Sequence, residues 1–387
     1  MNYLIINFYS PQNAGDLAIL TQTVHQIHRL DTAAEVAICV SDTEILPDIK
    51  GAVWVRSWNW VVRGPGRIKA LADLRTAYRK ADVIISLGGG YFFVHDYRPV
   101  STYATLSLLA AILTRKRVMC FPQSFGPFRF KYQAWFAARL LRGVSTLMIR
   151  EEPSLTLLSQ TDPQLAARAT LVPDTAFTLV LEQPERAADT IKTSSLYMGI
   201  TLLDWESVNP FLHAQKQYED SVAQVIIYAW QKYQAHVTLF VQCRSRRRDF
   251  ESDEAVTRRV AELALKRDPT IAAHLSVQAE LMTPAEYLQA YASTDIFIGT
   301  RMHSLIFAAC GGVPIMAIGY QHKSLGLMKM LQVERFYTEM SQLTSAQLIE
   351  RFELALAERE TLSHQLTART QALGLTVQQA IQQALQR

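Results

Sequence analysis

Asp295-Ile-Phe-Ile-Gly-Thr-Arg-Met-His-Ser-Leu-Ile-Phe-Ala-Ala-Cys310 reads as a short buried strand, a tight turn and a helix. The turn, Gly299-Thr-Arg-Met-His-Ser304, sets Arg301 and His303 two residues apart at the carboxyl end of a strand. Open α/β sheets bind their ligands in crevices at such ends. Arg301 is a permanent cation suited to a carboxylate or phosphate. His303 exchanges a proton near neutral pH. Together they point to an anionic substrate handled by acid–base chemistry. The plainer alternative is that His303 is an ordinary first-turn residue that satisfies the turn.

Working outward, the same alternation fills the chain. Apolar runs at 2–8, 35–40, 52–55, 82–87, 117–121, 146–149 and 169–172, then at 196–202, 236–241, 275–278, 295–298 and 314–318, read as strands. Stretches such as 17–30, 101–114, 131–142, 215–234, 252–267 and 303–311 read as helices. This pattern predicts an α/β fold of parallel sheets with crossover helices. With 387 residues, two domains are expected. The polar, proline-bearing stretch 183–195 is the expected linker between 1–182 and 196–343, giving two Rossmann-like domains that face a cleft. Residues 344–387, rich in Gln, Leu, Ala and Glu, read as a C-terminal helical tail of one or two surface helices.

Composition narrows the classes. No apolar run reaches the roughly 18 residues of a membrane-spanning helix. Met1-Asn-Tyr-Leu-Ile-Ile-Asn7 lacks a basic leader and a small-residue cleavage site, so it reads as a first buried strand rather than a signal peptide. Cys39, Cys120, Cys243 and Cys310 show no metal or redox spacing, which fits reduced core thiols in the cytoplasm. A net charge of +4 does not call for nucleic acid but suits an anionic small molecule or membrane surface.

Other strand ends carry small or polar residues. In Tyr9-Ser-Pro-Gln-Asn-Ala-Gly-Asp16, Asp16 is an expected N-cap and Gly15 permits a sharp turn; free N–H groups there suit an anion or sugar hydroxyl. Gly88, Gly89 and Gly90 let a ligand approach bare backbone, although the run does not fit the dinucleotide fingerprint. Tyr91, His95 and Asp96 follow as acceptor contacts. Gln123 and Ser124 sit in Phe121-Pro-Gln-Ser-Phe-Gly-Pro127, either a rigid turn or part of a cleft wall. Arg150 either clamps an anion or pairs with Glu151 or Asp174; Asp174 either orients Arg150, acts as a base or caps the next helix. The run Cys243-Arg-Ser-Arg-Arg-Arg-Asp249 is a solvated loop or a phosphate trap. Trp54, Trp58 and Trp60, with Arg56, Arg63 and Arg67, are either packing residues or a peripheral contact with an anionic membrane face. Gly319-Tyr-Gln-His-Lys323 brings His322 and Lys323 towards the Arg301 end of the sheet.

In order, Asn13-Ala-Gly-Asp16, Ser86-Leu-Gly-Gly-Gly90, Gln123-Ser-Phe-Gly-Pro127, Ile149-Arg-Glu151, Val172-Pro-Asp174 and Gly299-Thr-Arg-Met-His-Ser304 resemble the polysaccharide pyruvyl transferase family over about residues 3–330. The family's first motif reads closer to Gly-Asn-x-Gly-Asp; here Gln12 replaces its first glycine. The resemblance implies a GT-B-like fold and transfer of the enolpyruvyl unit of phosphoenolpyruvate onto two sugar hydroxyls as a cyclic ketal. Phosphoenolpyruvate is then a co-substrate, with no cofactor and no metal. His303 is the expected acid–base residue, and Arg301, Arg150, Lys323 and Ser304 the donor-binding set. Asn13, Asp16, Gly88, Gly89, Gly90, Tyr91, Gln123, Ser124 and Asp174 belong to the acceptor side or cleft. The acceptor is a sugar or lipid-linked saccharide, met in the cytoplasm or at the inner membrane face. The rival readings are a GT-B glycosyltransferase using a nucleotide sugar and a non-catalytic glycan-binding module.

Overall fold

The computed structural model describes all residues except 42–45, 59–60, 62–65, 95–101, 183–194, 205–213, 245–251, 320–321 and 387, and only the backbone at 91, 93, 94, 102 and 322. Two units divide the chain: Met1–Pro11, Asp16–Thr178 and Leu373–Arg387 form one, Gln12–Gly15 and Leu179–Ala372 the other.

In the first unit, β1 (Asn2–Phe8), β2 (Glu35–Val40), β3 (Ala52–Arg56), β4 (Val83–Ser86), β5 (Gly89–Val94), β6 (Arg117–Phe128), β7 (Thr146–Ile149) and β8 (Ala169–Leu171) form a parallel sheet. Its order is β3-β2-β1-β4-β6-β7-β8, with β5 paired to β6. The helices are α1 (Ala14–Leu30), α2 (Arg67–Lys80), α3 (Thr102–Leu113), α4 (Lys131–Leu141), α5 (Glu152–Thr161) and the short α6 (Pro163–Ala166). Side chains alternate across a strand, so β1 feeds two cores. Leu4 and Ile6 join Leu74, Leu108 and Ala137 on one face; Tyr3, Ile5 and Phe8 join Ile19, Val24 and Ile27 on the other. Burial on both faces is why these strands read as unbroken apolar runs.

The second unit repeats the plan with β9 (Tyr197–Thr201), β10 (His236–Phe240), β11 (Leu275–Gln278), β12 (Ile296–Gly299), β13 (Ile315–Gly319) and β14 (Tyr337–Glu339), ordered β11-β10-β9-β12-β13-β14 and parallel throughout. Its helices are α7 (Gln215–Tyr233), α8 (Asp253–Arg267), α9 (Pro284–Ala292), α10 (Met302–Cys310), α11 (His322–Met330), α12 (Ser345–Ala357) and α13 (Arg359–Gln386), the last continuing into the first unit.

The residues 344–387 are not a surface tail. Leu348, Phe352 and Ala355 of α12 are buried, and α12 packs on α7. Val377 and Ile381 of α13 are wholly buried in the first unit's core beside Tyr3, Ile5 and Val36. Arg117 donates hydrogen bonds to the carbonyls of Ala384 and Leu385, a cation at a helix C-terminus. The units meet in sequence at Thr178 and Leu179, before the expected linker 183–195, of which 183–194 lies outside the described residues.

The start of α1 also differs from expectation. The helix begins at Ala14, and Asn13 caps it by accepting the Gly15 N–H at 3.0 Å, so Asp16 lies within the first turn. All four cysteines are buried and none forms a disulfide; burial pushes the Cys39 and Cys120 thiols up to about 12. Trp54 and Trp58 pack against the two cores, Trp54 with its ring centroid 5.9 Å from that of Phe8. Packing is therefore their role; Arg56 and Arg67 are exposed, and Trp60 and Arg63 lie outside the described residues.

Candidate active site

In the second unit a ring of contacts begins and ends at the turn 299–304. Strand β12 is buried along its length and stops at Gly299. The hydroxyls of Tyr218 and Thr300 lie 2.8 Å apart. Ser304, wholly buried, donates to the Arg301 carbonyl at 2.6 Å, and its Oγ lies 2.6 Å from that of Thr201 on β9. Ser304 thus fixes the turn's shape and does not present its hydroxyl to a ligand.

The turn aims Arg301 at Asp253, the first residue of α8. Arg301 Nε reaches both carboxylate oxygens at 2.8 and 2.9 Å, and Nη2 reaches Oδ1 at 2.6 Å. Asp253 is wholly buried, and its Oδ2 accepts the backbone N–H groups of Gln242 and Cys243 at 3.1 and 2.9 Å. Burial pushes its carboxyl above the usual 3.8; Arg301 and the two N–H groups pull the other way without cancelling the shift. The fixed backbone at 242–244 in turn holds Gln12–Ala14. Ala14 N donates to Gln242 O at 3.2 Å, Arg244 N donates to Gln12 O at 3.1 Å, and Asn13 bridges Cys243 antiparallel.

That places Gly15 against His303. A β-carbon on Gly15 would meet Nδ1 of the imidazole at 2.1 Å, so this site requires glycine for close approach rather than for a strained turn. His303 is partly buried in the first turn of α10, whose N-cap, Arg301, supplies no side-chain cap. Lys323 lies near the start of α11, after β13, the strand beside β12. Of the basic run, Arg244 pairs with Glu254 at 3.3 Å, and 245–249 lie outside the described residues.

The first unit holds a second polar cluster. Arg150, only 4% exposed, donates from Nε to Ser124 Oγ at 2.7 Å and to Glu151 at 3.0 Å, and from Nη1 to Asp174 at 2.7 Å. Burial disfavours its charge, but Glu151 and Asp174 outweigh that and hold its pKa above the usual arginine value. Asp174 also accepts the Ala176 N–H at 3.0 Å. Both structural alternatives for Asp174 are met, and Arg150 is the centre of a buried ion-pair network rather than an open clamp. Gln123, wholly buried, donates from Nε2 to Gly89 O at 2.9 Å and ties β6 to β5. Gly88 is required because its β-carbon would meet the Pro122 carbonyl at 2.8 Å. Gly89 and Gly90 open β5; the Tyr91 side chain, His95 and Asp96 lie outside the described residues.

The sequence reading passed over Asp253 and Gln242. The first is one acid in a helix's first turn, a pattern usually read as a complement to the helix dipole. The side-chain amide of Gln242 is buried, and neither of its polar atoms has a hydrogen-bond partner.

The model of the polysaccharide pyruvyl transferase family matches residues 13–322. The chain belongs to that family. The match opens on Asn13 of the capping turn and takes in Asp253, Arg301 and His303; Lys323 falls one residue beyond it. A relative, the amylovoran biosynthesis protein AmsJ of Erwinia amylovora, is 24% identical over 406 residues, covering 95% of this chain and 94% of that protein. Among solved structures, the UDP-GlcNAc 2-epimerase of Neisseria meningitidis bound to UDP-GlcNAc aligns over 100% of both chains at a TM-score of 0.60 and 13% identity. The epimerase of Methanocaldococcus jannaschii covers 92% of this chain and 93% of its own at 0.59 and 12%. A UDP-glucosyltransferase of Polygonum tinctorium covers 99% and 97% at 0.58 and 11%. At such identities the likeness is one of fold: this pyruvyl transferase family member has the GT-B-like α/β architecture. Among its described residues, no helix is long and apolar enough to cross a membrane.

Proposed function

We propose that this chain transfers the enolpyruvyl unit of phosphoenolpyruvate to two hydroxyls of a sugar, in a cell-surface polysaccharide or its precursor, and closes a pyruvate ketal. The observation that carries the reading is the shared turn of Arg301 and His303, the one held by Asp253 and the other seated against Gly15.

The donor carries a carboxylate and a phosphate. Arg301, oriented by Asp253, meets one of them. Asp253 offsets part of that positive charge, so Lys323 and the uncapped start of α10 supply the rest. Arg150 plays no part in binding, since its guanidinium serves Ser124, Glu151 and Asp174. A proton delivered to the methylene carbon makes it a methyl group and leaves an oxocarbenium-like centre, which a sugar hydroxyl attacks. Phosphate then departs with its bridging oxygen, and the second hydroxyl closes the ring. Each hydroxyl gives up a proton, so one acid–base group can serve both halves; that group is His303. Phosphoenolpyruvate is a co-substrate, and no step calls for a separate cofactor.

The test is phosphate release from phosphoenolpyruvate across a panel of sugar and lipid-linked saccharide acceptors. Release should require an acceptor with two suitably placed hydroxyls. His303→Ala should lower kcat by ~10²–10⁴-fold while calorimetric binding of phosphoenolpyruvate persists. Saturable binding of a UDP-sugar with none of phosphoenolpyruvate would overturn the reading in favour of a nucleotide-sugar transferase. Glycan binding that survives His303→Ala, with no phosphate release for any acceptor, would make the chain a non-catalytic module.

A further inference from the structure

Helix α4 is amphipathic in an unusual sense. Its buried side holds Gln133, Ala134, Ala137, Ala138 and Leu141, whereas its largest rings face outward. Trp135 is 62% exposed, Tyr132 48% and Phe136 37%. Residues 132, 135 and 136 are three and four apart, so they form one stripe. Helix α3, packed beside α4, exposes Leu109 and Leu113 one turn apart at 42% and 72%. Single exposed apolar residues need no explanation, but five large ones on two adjacent helices do.

The charged residues in the stripe's own stretch of sequence are of one sign. Between Asp96 and Glu151 the chain runs 54 residues with nine Lys or Arg and no Asp or Glu. Lys131 and Arg139 are exposed on α4 itself, and Arg115 at the end of α3. Arg129 is exposed just ahead of α4, with its guanidinium carbon 5.4 Å from the centre of the Phe130 ring, and that ring stacks on Tyr132 at 5.6 Å. Rings that insert at headgroup depth, flanked by arginine and lysine, are the composition of a helix that lies in a membrane interface.

We propose that the outer face of α4, with α3 beside it, docks on an anionic lipid bilayer. A symmetric contact between two copies would bring Lys131 and Arg139 against like charges and is disfavoured. An anionic headgroup layer complements the rim, and the rings and leucines enter the interface without spanning it. Trp54 and Trp58 do not take part, being packed against the cores. The proposal stands independently of the reaction catalysed.

Flotation of the full-length protein with phosphatidylglycerol-containing and pure phosphatidylcholine vesicles, at low and high salt, is the test. Wild type should float with the anionic vesicles, and salt should reduce this. Trp135→Ser/Phe136→Ser and, separately, Lys131→Glu/Arg139→Glu should each lower partitioning by about tenfold or more, with melting temperatures retained. The charge-reversed pair touches only exposed positions, so it remains informative if the ring variant folds poorly. Absence of flotation at low salt, flotation of both variants equal to that of wild type, or a wild-type dimer that Trp135→Ser/Phe136→Ser dissolves in the absence of lipid would overturn the proposal.

Discussion

A β-carbon on Gly15 would stand 2.1 Å from Nδ1 of His303, so the imidazole occupies the space any other residue at position 15 would need. Gly15 lies in a helix, where alanine is intrinsically the better residue by about 0.5–1 kcal/mol. Gly15→Ala should therefore leave the fold intact yet push His303 out of place. We expect phosphate release to fall by roughly a hundredfold or more, with a melting temperature within a few degrees of wild type. Full activity in this variant would show that the position of His303 does not matter.

Arg301 and Asp253 should fail together. Asp253→Asn leaves a largely buried guanidinium without its counter-charge, and breaking such a pair from one side costs about 3–5 kcal/mol. Arg301→Lys keeps the charge but loses the planar fork. Both variants should raise the KM for phosphoenolpyruvate; urea unfolding should show the larger stability loss for Asp253→Asn.

Arg150 should behave differently from Arg301. Its Nε and Nη1 bond within the first unit, so Arg150→Lys should lower stability by up to about 3–5 kcal/mol and leave the donor KM unchanged. A raised KM with unaltered stability would restore Arg150 as a donor clamp.

Acid unfolding should involve Asp162. Arg142 binds it through Nε at 2.6 Å and Nη2 at 3.1 Å, and this holds its carboxyl below the usual 3.8, helped by the Leu165 N–H. A carboxylate depressed in the folded state stabilises above its unfolded value, and that stabilisation is lost as pH falls through the folded one. Asp162→Asn should thus lower stability near neutrality and reduce its dependence on pH below about 4, as read from urea midpoints across that range.

The strands of the sheet centres were legible because they are short apolar runs buried on both faces, as β12 and β13 illustrate. Strand β5 was not, since Gly89 and Gly90 carry no side chains to mark a pattern, and β14 is three residues long. Arg301 and His303 could be found because one turn holds both. Asp253 could not, because its partner lies 48 residues away and only the folded sheet joins them. Ser304 and Arg150 look the same in sequence whether they face a ligand or their own chain; burial decides, and burial is a property of the tertiary structure. The helical period of α13 was plain, but a period does not say which surface a helix will cover.

Helix α13 ties the order of synthesis to the order of folding. The ribosome delivers the first unit's whole sheet before any of α13, so the ground that Val377 and Ile381 will cover beside Tyr3, Ile5 and Val36 is left bare in the nascent chain. Arg117 likewise waits for the carbonyls of Ala384 and Leu385. The second unit must be translated in full before the first can close its core. Until then the growing polypeptide carries an uncovered apolar surface of the kind that chaperones hold and that aggregates when they do not.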